Sequence, residues 1–232
     1  MSTATRYSHV RELLDETCRE AGRDPREVLL LAVSKTVDVD EVASAIEAGA
    51  QAFGENRPDE LMRKHAAFPD IPWHFIGNIQ SRRIPDIVAC AELIHSVCKE
   101  AHLAKIDAAA QAAGKVQRIL LEVNVSGEES KSGFRPDEVA GVLERAKGLS
   151  HIRIEGLMTM APRGDEDCIV TTFSGLKSLS DELAGLFPEG QGNVSLSALS
   201  MGMTEDWPEA VRWGSTIVRV GRAIFDDSFE IA

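Results

Sequence analysis

Short apolar, β-branched runs alternate with longer amphipathic stretches along nearly the whole chain, and that rhythm is the strongest constraint on its fold. The pattern predicts strands over 28–34, 52–55, 73–77, 93–97, 118–124, 152–158, 194–199 and 216–220. Helices are expected over 39–48, 58–67, 82–89, 99–113, 136–147, 167–186 and 205–213, with a further one over 6–21 ahead of the first strand. Buried-looking strands, each followed by a helix, imply a parallel sheet with helical cover. Eight of them in 232 residues match an α/β chain folded over 1–232 as a single (β/α)8 TIM-type barrel with an extra N-terminal helix; such barrels usually run to about 250 residues. A doubly wound open sheet is the alternative. It would want a glycine-rich turn after the first strand, and Ser34-Lys35-Thr36-Val37-Asp38 has no glycine.

Charge and cysteine usage narrow the partners. The chain carries 25 Lys plus Arg against 37 Asp plus Glu, a net charge of −12 without a basic stripe, so no nucleic-acid partner is expected. No apolar run approaches the roughly 20 residues of a membrane-spanning helix, and residues 1–9 lack the apolar core of a secretory signal. A cytoplasmic protein with no membrane partner is therefore expected. Cys18, Cys90, Cys98 and Cys168 form no Cys-x-x-Cys pair and have no histidine at zinc-ligand spacing, so they read as free thiols and no metal is expected. Without a long exposed apolar segment, a monomer is the natural state.

In a barrel of this type the chemistry sits at the carboxyl ends of the strands. Lys35 ends the first strand and, at period two, shares a face with Leu31 and Val33. If that face points inward, the amine emerges at the barrel mouth over an apolar floor, desolvated enough for Schiff-base chemistry. The plain alternative is a solvated lysine. After the seventh strand, Ser200 offers a hydroxyl, Gly202 lets backbone approach a ligand, and Thr204 can cap the next helix. The eighth strand runs into Gly221 and Arg222, which present backbone N–H groups and a guanidinium at the place where such barrels commonly hold a phosphate. Otherwise both glycines simply make tight turns. Arg219 interrupts an apolar strand, and a charge inside a barrel needs an acceptor. Glu122 is one candidate, and a ring nitrogen of a bound cofactor is another. An inward lysine, an inward arginine and a phosphate cradle together fit pyridoxal 5′-phosphate (PLP).

These residues sit in ordered stretches that resemble the pyridoxal phosphate homeostasis protein family, small PLP-binding barrels similar in fold to the N-terminal domain of alanine racemase. The stretches are Leu31-Ala-Val-Ser-Lys-Thr-Val, Phe53-Gly-Glu-Asn, Trp73-His-Phe-Ile-Gly with Ile79-Gln-Ser, Ile94-His-Ser-Val and Glu122-Val-Asn-Val. They continue with Lys131-Ser-Gly-Phe, Gly156-Leu-Met-Thr-Met, Leu199-Ser-Met-Gly-Met and the run 214–225. The resemblance implies that Lys35 joins PLP through a Schiff base, that Ser200, Gly221 and the backbone of Arg222 hold the phosphate, and that Arg219 faces the pyridine nitrogen. It further implies that Asn56, His74 and Met158 line the pocket. Arg57-Pro58, Asn78, Cys98 and Arg222 depart from the family pattern.

The function so implied is intracellular PLP homeostasis, meaning storage, buffering or delivery to PLP-dependent client enzymes, without robust catalysis. The alternative is a PLP-dependent amino-acid racemase or related enzyme. A racemase needs a second base across from the lysine, in the alanine racemase resemblance a tyrosine backed by a further domain. With Phe225 near the end of the sequence no such domain is expected, and the sole tyrosine is Tyr7 in the leading helix. His74 and His95 are the strand-associated substitutes; each could equally be a hydrogen-bonded core histidine.

Overall fold

Period-two alternation sorts the apolar residues into two clusters. Leu31, Ala52, Leu93, Leu120, Met158 and Ile217 pack together inside a ring of strands, while their neighbours Leu30, Ala32, Phe53, Ile94, Ile119, Leu121, Val218 and Val220 pack outward beneath helices. The ring appears in a computed structural model that describes residues 1–128, 131–188 and 192–230; the other positions of the domain expected over 1–232 lie outside the described residues. Its strands are β1 (Leu29–Val33), β2 (Phe53–Glu55), β3 (Trp73–Phe75), β4 (Leu93–Val97), β5 (Gln117–Glu122), β6 (Ile152–Met158), β7 (Val194–Met203) and β8 (Ile217–Val220). They pair in chain order, all parallel, and β8 returns to β1 to close a barrel. The fold is the (β/α)8 barrel read from the sequence.

The helices are α1 (Thr3–Glu20), α2 (Val39–Glu47), α3 (Pro58–Ala67), α4 (Ile84–Cys90), α5 (Glu100–Ala112), α6 (Val139–Ala146), α7 (Glu166–Leu186), α8 (Trp207–Arg212) and α9 (Arg222–Phe225). α1 is the extra element. Its buried Tyr7, Val10, Leu14 and Cys18 recur at helical spacing, and Ser2 caps its start by accepting from the Thr5 N–H. Arg6, also buried, donates to the carbonyl oxygens of Ala223 at 2.9 Å and Phe229 at 2.6 Å, pinning α1 to the segment after β8. Among the described residues no helix is long and apolar enough to cross a membrane, and no group of His, Cys, Asp and Glu could hold a metal ion.

Strand lengths differ from expectation where it matters for the site. β1 stops at Val33, one residue short of the predicted end, so Lys35 falls in a turn. β7 runs on through Met203, so Ser200 lies within a strand and not at its end. The expected helix 205–213 contracts to α8, whose N-cap is Asp206, not Thr204. Gly202 has φ +92°, and a Cβ there would sit 2.7 Å from Ala210 Cβ and 2.9 Å from Trp207 Cα. Its glycine therefore serves the close packing of β7 on α8, not the approach of a ligand.

The interior cluster is small, so each member carries a large share of it. Leu120→Ala removes a side chain with no exposure from its centre and is expected to cost about 2–5 kcal/mol, read as a lowered urea midpoint with an unchanged slope.

Candidate functional site

The lysine is presented by a turn. Ser34 donates its N–H to Gly54 O at 3.1 Å, continuing the β1–β2 ladder, and accepts at its carbonyl from the Val37 N–H at 3.1 Å. Lys35 and Thr36 are thus the two central residues of a β-turn at the carboxyl end of β1. The β1–β8 register sets Leu31 beside Arg219 and Ala32 beside Val220. One step further along, a Cβ on Gly221 would lie 3.2 Å from the Val33 carbonyl oxygen. The lysine turn and the end of β8 are neighbours on the same end of the barrel.

Between them opens a cavity of about 460 Å³, within the usual range for a small-molecule site. Lys35 and Thr36 line it from β1, Asn56 from β2, Ile76 and Gly77 from β3, and Met158 from β6. The β6–α7 connection adds Arg163 and Gly164, and the β7–α8 connection adds Met203, Thr204, Glu205 and Asp206. Arg219 in β8 and Gly221 and Arg222 just past its end also line it. Thr204 Oγ1 lies 3.4 Å from the Gly221 amide and accepts from it, which joins the two glycine-bearing connections.

Arg219 is the buried charge of this wall, only 4% exposed. Nη1 donates to Ser200 Oγ at 2.7 Å and Nη2 to the Thr159 carbonyl at 3.0 Å. No carboxylate lies within 4.0 Å of its guanidinium among the described residues, so of the two candidate acceptors Glu122 is not in contact. Burial lowers Arg219 to about 10, with Asp206 and Glu122 pulling the other way, and it stays a cation at neutral pH. Burial likewise pushes the Glu122 carboxyl up to about 7 against the field of Arg219. A guanidinium has five N–H donors; here two bonds reach neutral acceptors, and donor capacity remains toward the cavity.

Behind Arg219 runs a chain of buried polar groups. Ser200 Oγ lies 2.8 Å from His95 Nδ1, and His95 Nε2 lies 2.9 Å from His74 Nδ1. Because Arg219 can only donate, the network is satisfied when the Ser200 hydroxyl donates to His95 Nδ1 and the His95 Nε2–H donates to His74 Nδ1. Burial holds both imidazoles neutral, His74 at about 3 and His95 well below its ordinary value.

Of the residues read from the sequence, Lys35, Asn56, Met158, Arg219, Gly221 and Arg222 meet at the cavity. Ser200 and His74 do not. Ser200 is wholly buried three residues short of the end of β7, its hydroxyl engaged by His95 and Arg219. His74 sits two positions below Ile76, which takes the lining place on its face of β3. Lys35 is exposed, where burial over an apolar floor was expected, because the strand ends before it. Among the departures from the family pattern only Arg222 reaches the cavity, and its guanidinium pairs with Glu205 at 2.8 Å. Thr204 and Arg163 were missed as lining residues. Both follow a strand end, which was the available signal.

A family model described as the alanine racemase N-terminal domain matches residues 14–228. A pyridoxal phosphate homeostasis protein of Aquifex aeolicus is 35% identical over 231 residues, covering 98% of this chain and 99% of the relative. Another, of Pseudomonas aeruginosa, is 37% identical over 229 residues, covering 97% and 96%. The solved structure of PipY from Synechococcus elongatus with PLP bound is 31% identical and superposes with a TM-score of 0.84, covering 97% of this chain and all of that one.

The buried imidazoles give a pH signature. Below the ordinary value of 6.5 the unfolded chain takes up protons at His74 and His95 that the folded chain refuses, so both make stability fall as pH drops, His74 down to about 3. In an NMR titration both imidazoles are expected to keep neutral shifts at a pH where an ordinary histidine is charged. Glu122 acts with the opposite sign, because the folded state keeps its proton between 4.5 and about 7. Glu122→Gln is expected to flatten that part of a stability-versus-pH curve measured by urea unfolding.

Proposed function

Because the chain belongs to the pyridoxal phosphate homeostasis protein family, we propose that it holds pyridoxal 5′-phosphate reversibly at its barrel mouth and thereby stores, buffers or delivers it. One observation carries the reading: the buried Arg219 cation, with no carboxylate partner among the described residues, lines the same cavity as Lys35. PLP supplies an aldehyde that condenses reversibly with a primary amine, a phosphate dianion and a pyridine nitrogen that accepts a hydrogen bond. Each has a counterpart here. Lys35 offers the amine, and the N–H groups of Gly221 and Arg222 with the Thr204 hydroxyl form a rim suited to the phosphate. Arg219 faces the ring nitrogen as donor.

The role of each residue favours holding over turnover. An arginine at the ring nitrogen donates a hydrogen bond and leaves that nitrogen unprotonated, which weakens the ring as an electron sink. Ser200, which the resemblance assigns to the phosphate, accepts from Arg219 and so braces it. Asn56 and Met158 shape the wall. The exposure of Lys35 leaves its bond to the cofactor open to water, so loading and release are both accessible. The groups that could serve as a second base lie elsewhere. Tyr7 is buried in α1 with its hydroxyl 3.5 Å from the Gly49 carbonyl, and His74 and His95 are bonded to each other beneath the cavity. Client enzymes that receive the cofactor, a cytoplasmic setting and a monomeric, single-domain chain complete the proposal.

Purified protein mixed with PLP is expected to show a near-ultraviolet-to-visible absorbance band that borohydride fixes onto Lys35, as located by peptide mapping. Lys35→Ala should abolish the band. A reducible adduct of equal yield on another lysine would overturn the assignment. Incubation with amino acids in deuterium oxide separates the enzyme alternative: holding predicts a static spectrum, whereas rapid Cα–H exchange with turnover would mark a racemase.

A further inference from the structure

A fully buried ion pair lies directly under the turn that carries Lys35. Lys64 on α3 and Glu55 at the end of β2 have no exposed side-chain surface, and Lys64 Nζ approaches Glu55 Oε1 at 2.6 Å. The same ammonium donates to the carbonyl oxygen of Ser34 at 2.7 Å, while the Ser34 hydroxyl donates to Glu55 Oε1 at 2.6 Å. That carbonyl belongs to the peptide bond leading into Lys35, and it is also the acceptor that closes the turn through the Val37 N–H at 3.1 Å. One buried charge therefore grips both the peptide plane before the lysine and the hydrogen bond that shapes its turn.

Stability does not account for the pair. Two charges have left water, and Glu55 Oε2 has no hydrogen-bond partner, whereas apolar side chains of similar volume commonly equal or exceed an incompletely satisfied buried pair. Its bonds converge instead on one residue, Ser34, through its carbonyl and its hydroxyl. A charge-assisted bond is roughly twice as strong as a neutral one, so Lys64 contributes more to holding that carbonyl than Val37 does. Lys35 itself is exposed, and the Lys64 bond fixes the peptide plane that leads into it.

We propose that Lys64, paired with Glu55, is a positioning residue that fixes the Lys35 turn so that the amine meets the aldehyde of PLP. This rests on the reading of Lys35 as the amine that bonds the cofactor. In that step the Lys35 nitrogen bonds the aldehyde carbon, and the aldehyde oxygen leaves as water with the two protons of the neutral amine. Displacing a reacting group by about 1 Å can cost up to about a hundredfold in rate. Binding of phosphate and ring, held by other strands, is untouched by the pair.

The double variant Lys64→Met with Glu55→Gln removes both charges at similar volume and leaves no single charge buried. Its rate of adduct formation with PLP is to be measured beside the affinity for pyridoxine 5′-phosphate, whose alcohol cannot condense with an amine. The expected result is adduct formation slowed by about tenfold or more, with pyridoxine 5′-phosphate affinity kept within about twofold. An unchanged adduct rate, or parallel losses in both measurements, would overturn the proposal. Should the variant fail to fold, amide hydrogen exchange on the wild-type protein decides: Val37 N–H is expected to be protected, and exchange at the rate of a free amide would contradict the anchoring. A wild-type protein that forms no adduct at Lys35 overturns the functional reading instead, a failure distinguishable because it precedes any substitution.

Discussion

A guanidinium held inside a barrel by neutral acceptors alone is the interaction on which the mouth of this molecule depends. Taking an arginine out of water is costly, and the usual remedy is a carboxylate at contact distance. Arg219 has none within 4.0 Å among the described residues. It is steadied by a serine hydroxyl and a backbone carbonyl, and the serine is in turn oriented by His95, itself bonded to His74, both kept uncharged by burial. The line His74–His95–Ser200–Arg219 thus delivers donor capacity and positive potential to the cavity floor. In a chain of net charge −12, a mouth lined by Lys35, Arg163, Arg219 and Arg222 against Glu205 and Asp206 is a local reversal of sign, suited to an anion.

The same logic separates placement from packing at the opposite wall. Lys35 is exposed, yet the carbonyl before it is tied to one of the most deeply buried charges among the described residues. Rigidity is supplied beneath the turn and freedom is left above it. A site arranged this way can bring an amine to one place repeatedly while leaving water access to the bond it forms, which suits loading and unloading better than sealed turnover.

Much of this was legible in the residues. Period-two alternation gave inward and outward faces that the two apolar clusters reproduce; strand ends pointed to Lys35, Gly221 and Arg222, an interrupted apolar strand to Arg219 and the family resemblance to Asn56 and Met158, and all six line one cavity. Depth along the strands was not legible. Whether Ser200 ends β7 or lies inside it depends on a register irregularity with β8 that no local pattern encodes. Nor does a local pattern show that His74 bonds His95, or that α8 packs against Gly202 where a ligand approach was expected. Lys64 reads in sequence as one more polar residue of an amphipathic helix. Only the closure of β1 against β2, with α3 over them, sets its amine against Glu55 and Ser34.

The most direct measurement is a crystal structure of the protein with PLP. Density continuous from Lys35 Nζ into the ring is expected, with the phosphate against the Gly221 and Arg222 amides and the ring nitrogen within hydrogen-bond distance of Arg219. A cofactor attached to another lysine, or seated with its phosphate on Lys35 and its ring away from Arg219, would contradict it.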